Sequence, residues 1–109
     1  MQYLLIHAGA PDLGEAWNEE AWAALTGWLD EAIGSGVSVE GSPLQLDADA
    51  TTVKVRDGEL IVTDGPYAET KEQIAGYDVI ECPGKEEAVR WARRHARLAQ
   101  VRSQARRRA

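Results

Sequence analysis

The sequence predicts an α+β domain, an open sheet with helices packed on one side. Three observations predict it. Apolar runs of strand length are interleaved with two longer segments of helical spacing. An Asp57-Gly58 pair marks a tight hairpin between two alternating runs. Gly and Pro punctuate the joins. At 109 residues, 44% of them hydrophobic, the chain has material for one core of modest size, and disorder throughout is not expected.

Each element has its own reason. Gln2 to Ala8 is nearly all apolar and reads as a buried strand that stops at Gly9-Ala10-Pro11. Trp17, Ala21, Trp22, Leu25, Trp28, Leu29 and Ile33 recur three and four apart, which is one helix face. Glu15, Glu19 and Glu20 near its start suit the positive end of the helix dipole, and Gly34-Ser35-Gly36 ends it. Val37 to Glu40 alternates as a second strand, and Gly41 to Ala50 reads as a loop. Thr51 to Arg56 and Glu59 to Thr63 are the two arms of the hairpin, and Asp64-Gly65-Pro66 stops the second arm. A further strand is expected over 75–81. After Pro83-Gly84, a second helix opens at Lys85. The expected core is Leu4, Ile6, Leu25, Leu29, Val53, Val62, Val79, Val89 and Trp91.

The carboxyl end is ambiguous as a strand, because Val101 is its single β-branched residue. Leu98, Val101 and Ala105 follow helical spacing, so the second helix is expected to run past Ala96. Residues after about Ser103 are expected to fray, since Arg106, Arg107 and Arg108 repel one another. Residues 1–97 then form the domain, and 98–109 a basic helical extension or frayed tail. With a final strand, the order would be βαββαβ, a ferredoxin-like sheet with an inserted hairpin.

Charge is unevenly distributed. Residues 1–84 hold three basic against sixteen acidic side chains, and residues 85–109 hold nine basic against two acidic. The basic end fits a helix that pairs with the acidic body or with a second subunit. Nucleic-acid binding is not expected, because the body is acidic and no groove-reading motif is present. No apolar run approaches the roughly 20 residues that span a bilayer, so no membrane partner is expected. The single cysteine, Cys82, rules out an internal disulfide and suits a cytoplasmic location; it reads as structural.

Candidate chemistry is sparse. His7, at the end of the first strand, could be a general base, a metal ligand, or a structural histidine bonded to a carbonyl. Asp64, Glu69 and Glu72 could flank a polar pocket with Tyr67 and Lys71, where Lys71 would anchor an anion; the same groups could equally cap a turn and form surface pairs. His95 lies among Arg93, Arg94 and Arg97 and reads as solvated. Trp17, Trp22, Trp28 and Trp91 read as core or interface packing. No metal-ligand spacing, phosphate loop or nucleophile elbow is present, so nucleotide hydrolysis and zinc chemistry are disfavoured and no cofactor is expected.

The block from Val62 to Tyr77 resembles the signature of the DGPF branch of the YCII-related family, with Tyr67 where the aromatic after the proline is usually Phe. Tyr3-Leu4-Leu5-Ile6, Gly36-Val37, Gly41, the stretch from Ala50 to Gly58 and Glu87 to Ala92 extend the resemblance over roughly residues 1–96. The resemblance implies a dimeric α+β barrel made by two copies. Read from the residues, one functional expectation is a small enzyme or binder with a cleft that holds His7 and Asp64 as catalytic residues and Tyr67, Glu69 and Lys71 as substrate-binding residues. The chemistry that the resemblance implies is acid/base work on a small polar or aromatic molecule without a metal. Better-known members pair a histidine on the first helix with an aspartate. The first helix here holds no histidine, so that pair does not carry over. The other reading that the resemblance implies is a non-catalytic interaction or regulatory module linked to extracytoplasmic-function sigma factor signalling.

Overall fold

The computed structural model describes residues 1–9, 19–45, 49–65, 73–99 and 101–109. In chain order the elements are β1 (Gln2–Gly9), α1 (Glu19–Gly34), β2 (Ser38–Pro43), β3 (Thr51–Arg56), β4 (Glu59–Asp64), β5 (Gln73–Glu81), α2 (Lys85–Ala99) and β6 (Arg102–Arg107). Strands β2-β5-β1-β6 form one antiparallel sheet, and β3-β4 form a separate two-stranded hairpin. This is the ferredoxin-like βαββαβ plan with a hairpin inserted between the second and third strands of the sheet.

Local chemistry explains the joins. Asp57 and Gly58 adopt φ of 53° and 78°, the pair of left-handed residues that a two-residue hairpin requires, and they set Arg56 opposite Glu59. At the end of α1, Gly36 takes a φ of 76° while Ser35 and Val37 donate to the carbonyls of Glu31 and Ala32 at 3.0 and 2.9 Å. Those bonds satisfy helix carbonyls that would otherwise lack partners.

The helices cover one face of the sheet. Tyr3, Leu5 and Ile80 from the sheet meet Trp28 and Ala32 of α1 and Ala88, Trp91 and Ala92 of α2, with Val37 and Cys82 completing the core. The Trp28 indole donates to the Trp91 carbonyl at 3.1 Å and stands edge-on to the Trp91 ring. The core differs from the expected one in several places, and Leu4, Ile6, Leu25, Val79 and Val89 are only half-buried. Leu5, not Leu4 or Ile6, faces the helices, because β1 is apolar on both faces and its sequence cannot choose between them. Leu29 sits on the exposed side of α1, while Val53 and Val62 are 59% and 58% exposed on the hairpin. Trp91 is buried as expected, and Trp22 is exposed; Trp17 lies outside the described residues.

The expected tail is also corrected. α2 does run past Ala96, but residues 102–107 form a regular strand rather than a helical extension or a frayed end. β6 pairs with β1 from Tyr3↔Arg107 to Ala8↔Arg102. The ladder continues at Arg108, whose backbone donates to the Gln2 carbonyl at 2.9 Å and whose guanidinium reaches the Gln2 side chain at 2.8 Å. Ser103 and Ala105 turn toward the helices and are half-buried, while Arg102, Gln104 and Arg106 point to the other side. An open edge of β1 supplies the hydrogen bonds that this arginine-rich segment could not secure by propensity.

The parity of β1 is testable. Leu5→Ala should cost roughly 2–5 kcal/mol in urea denaturation. Leu4→Ala, on the half-buried other face of β1, should cost clearly less. Equal losses would contradict the assignment of faces.

Candidate functional site

Three neighbouring strands bring polar side chains to the same level of the helix-facing side. Asp78 comes from β5, His7 from β1 and Ser103 from β6, where it stands directly opposite His7 in the β1–β6 register. His7 Nε2 lies 2.8 Å from Asp78 Oδ2, and His7 Nδ1 lies 2.7 Å from Ser103 Oγ. His7 and Asp78 are 4% and 8% exposed, so this pair is shielded from water. With Asp78 ionised and His7 neutral, the carboxylate can only accept, so Nε2 carries the hydrogen. Nδ1 is then the basic nitrogen, and Ser103 donates its hydroxyl hydrogen to it.

Glycines make room for this arrangement. Gly41 of β2 faces Asp78 in register, and a Cβ there would collide with Asp78 Oδ1. Gly76 faces His7, and a Cβ there would come within 2.9 Å of the Ser42 carbonyl oxygen. The carboxylate thus lies over a strand that offers it no side chain.

α2 closes the site from above. His95 stacks on His7 with ring centroids 3.5 Å apart and planes within 9° of parallel, and Trp28 stands edge-on to His95 at 5.0 Å. His95 is 7% exposed, and its buried Nδ1 has no hydrogen-bond partner among the described residues. Burial in the core, and secondarily the proximity of His7, pushes its pKa down to about 3, so the ring is neutral at ordinary pH. Nearby, Arg94 lies over the Trp91 ring at 5.0 Å and pairs with Glu31 of α1. That pair raises the Arg94 pKa and lowers that of Glu31 through their shared hydrogen bonds.

His7, Asp78 and His95 place ligand atoms within 4.8 Å of one another, a donor set that could hold a transition metal. The stack opposes it. In nearly parallel rings at van der Waals contact the in-plane lone pairs run side by side, so one ion would lie well out of both ring planes. The arrangement suits a proton on His7 better than a shared ion.

Of the residues singled out from the sequence, His7 is at the centre of this cluster. Asp64 is not: it is exposed at the end of β4 in the separate hairpin, and the carboxylate that meets His7 is Asp78. Tyr67, Glu69 and Lys71, with Glu72, lie outside the described residues. Reading His95 as solvated was wrong. It falls on the buried stripe Ala88, Trp91, Ala92, His95 and Ala99, a three-and-four spacing that outweighs its arginine neighbours. Asp78 also left a trace, as a carboxylate in the interior of β5 between Tyr77 and Val79, whereas the strand's other carboxylate, Glu81, is its last residue. Ser103 left none, because its segment did not read as a strand.

The YCII-related domain matches residues 1–105 of the chain, which takes in every residue of the cluster. The chain belongs to the YCII-related family. A relative from Rhizobium meliloti (strain 1021), described as an uncharacterized protein, is 50% identical over 44 residues. That stretch is 40% of this chain and 36% of the relative. Among the described residues of this YCII-related chain, no helix is long and apolar enough to cross a membrane.

The buried neutral His95 has a consequence for acid stability. Its folded pKa of about 3 lies below the ordinary 6.5, so between these values the unfolded state binds a proton that the folded state refuses. The stabilising contribution is complete above 6.5 and is lost as pH falls toward 3. Denaturation measured between about pH 7 and pH 4 should show a steeper loss for the natural chain than for His95→Phe. An equally steep loss in both would contradict a buried neutral ring.

Proposed function

We propose that this YCII-related protein binds and acts on a small polar or aromatic molecule by acid/base chemistry, with His7 as the proton-transferring group and Asp78 as its partner. The observation that carries this reading is the buried 2.8 Å contact between His7 Nε2 and Asp78 Oδ2, which leaves Nδ1 as a base. A proton taken at Nδ1 makes an imidazolium, and Asp78 stabilises that charge where water is excluded. The pair would play the part that a helix histidine and an aspartate play in better-known members, with the histidine here on a strand of the sheet. The Asp64-Gly65-Pro66 turn supports placing the chain in the DGPF branch. Tyr67, Glu69 and Lys71 remain proposed substrate contacts, and the chemistry needs no cofactor.

A metabolite thermal-shift screen tests this. A ligand that raises the melting temperature of the natural chain should lose its effect on His7→Ala and be weakened on Asp78→Asn, with circular dichroism confirming that both variants fold. Unchanged ligand shifts in both variants would remove His7 and Asp78 from the site.

We also propose that the protein works as a homodimer. Val53, Val55, Leu60 and Val62 form one face of the β3-β4 hairpin, and all four are more than half exposed. An isolated two-stranded hairpin is marginal in water, so this face needs cover. Leu4, Ile6, Tyr77 and Val79, half-buried on the side of the sheet away from the helices, offer a second apolar surface. Light scattering on the natural chain should give a dimer, and Val55→Asp with Leu60→Asp should shift it toward monomer. A natural chain that is monomeric at micromolar concentration would end the dimer reading.

A further inference from the structure

We propose that Ser103 is a nucleophile, and that Ser103, His7 and Asp78 form a relay able to accept an acyl group from small activated esters or thioesters. The inference rests on the acid/base role of His7 proposed above and adds a covalent step to it.

The geometry has the three parts such a step needs. The nucleophile and its base are in contact, with Ser103 Oγ 2.7 Å from His7 Nδ1. The base is held by a third group on its other nitrogen, with His7 Nε2 2.8 Å from Asp78 Oδ2. Which nitrogen serves which partner does not matter, provided that they are opposite ones. His95, stacked flat on His7 and neutral, blocks tilting of the imidazole without competing for its proton.

The third part is a donor for the oxyanion, and strand register supplies it. Arg108 N bonds to the Gln2 carbonyl, so the Gln2–Arg108 pair is one of the hydrogen-bonded pairs of the β1–β6 ladder. Alternation then makes His7–Ser103 a non-hydrogen-bonded pair. Two consequences follow. The side chains of such a pair are close, which is why Oγ reaches Nδ1. The backbone N–H of Ser103 points away from β1, toward the outer edge of β6, where no described strand pairs with it. An acyl carbonyl approaching Ser103 Oγ from that edge meets this N–H. Ser103 is half-buried and so more accessible than the buried His7.

The steps balance. Ser103 Oγ attacks the acyl carbonyl carbon while its proton passes to His7 Nδ1. The tetrahedral intermediate collapses, the bond to the alcohol or thiol leaving group breaks, and that group takes the proton from Nδ1. Water then attacks the acyl-serine, His7 accepts a proton from the water, and Ser103 Oγ leaves and recovers it, releasing the carboxylic acid.

The full chain is treated with p-nitrophenyl acetate while nitrophenolate release and peptide masses are followed. The expected result is one acetyl group on Ser103. Ser103→Ala and His7→Gln should release nitrophenolate roughly 10²-fold or more slowly, and Ser103→Cys should again be acetylated at position 103. Circular dichroism checks that each variant is folded before its rate is compared. Cys82 is a weak competitor, because burial raises its thiol pKa. Acetylation confined to lysines or to Cys82, with Ser103→Ala reacting at the natural rate, would overturn the proposal. If His7→Ala still abolishes ligand-induced thermal shifts in that case, the acid/base reading stands without the nucleophile.

Discussion

β1 is hydrogen-bonded along both edges, to β5 on one side and β6 on the other, and the rest of the molecule is arranged around it. Its alternation decides which residues meet the helices. Tyr3, Leu5 and His7 point to the helix side, so a strand that begins as core ends as a polar site. Its two-sided pairing also delivers the partners of His7. Asp78 arrives with β5 and Ser103 with β6, from positions 71 and 96 residues away in the chain. The amino terminus fastens the same region, because the Met1 ammonium bonds Glu81 at 2.9 Å and the Cys82 carbonyl at 3.1 Å.

Placing two histidines and a carboxylate inside so small a core is costly unless each is paired. His7 and Asp78 satisfy one another, and Ser103 satisfies the remaining nitrogen of His7. His95 is held differently. Its ring is gripped by stacking and by the edge of Trp28, its Nδ1 has no hydrogen-bond partner among the described residues, and burial keeps it neutral. Apolar side chains would fill the same volume without that penalty. A core that keeps this polar row gives up some stability, which is the pattern expected of a functional site.

The hairpin poses the opposite problem. Its turn is well specified, yet the apolar side chains on one face are more than half exposed, while one face of the main sheet is shielded by two helices. A twisted pair of strands with one greasy face is a contact surface rather than a fold in its own right. The second copy proposed above would give that surface something to meet.

Much of the fold was legible in local chemistry. The helix spacing, the Gly34-Ser35-Gly36 exit, the Asp57-Gly58 turn and the order of strands follow from short-range rules about backbone freedom and apolar period. His7 was legible too, as a titratable group at a strand end. Tertiary structure alone decided three things. It set the parity of β1, because a strand apolar on both faces carries no signal about which face is inside. It turned Arg102–Arg107 into a strand, because an open edge of β1 offers hydrogen bonds that outweigh a poor intrinsic propensity. It replaced Asp64 with Asp78 as the partner of His7, because nearness across strands is fixed by register rather than by sequence separation. Sequence by itself determined the elements and their ends, since those depend on neighbours in the chain. The site depended on long-range pairing, which no local pattern encodes.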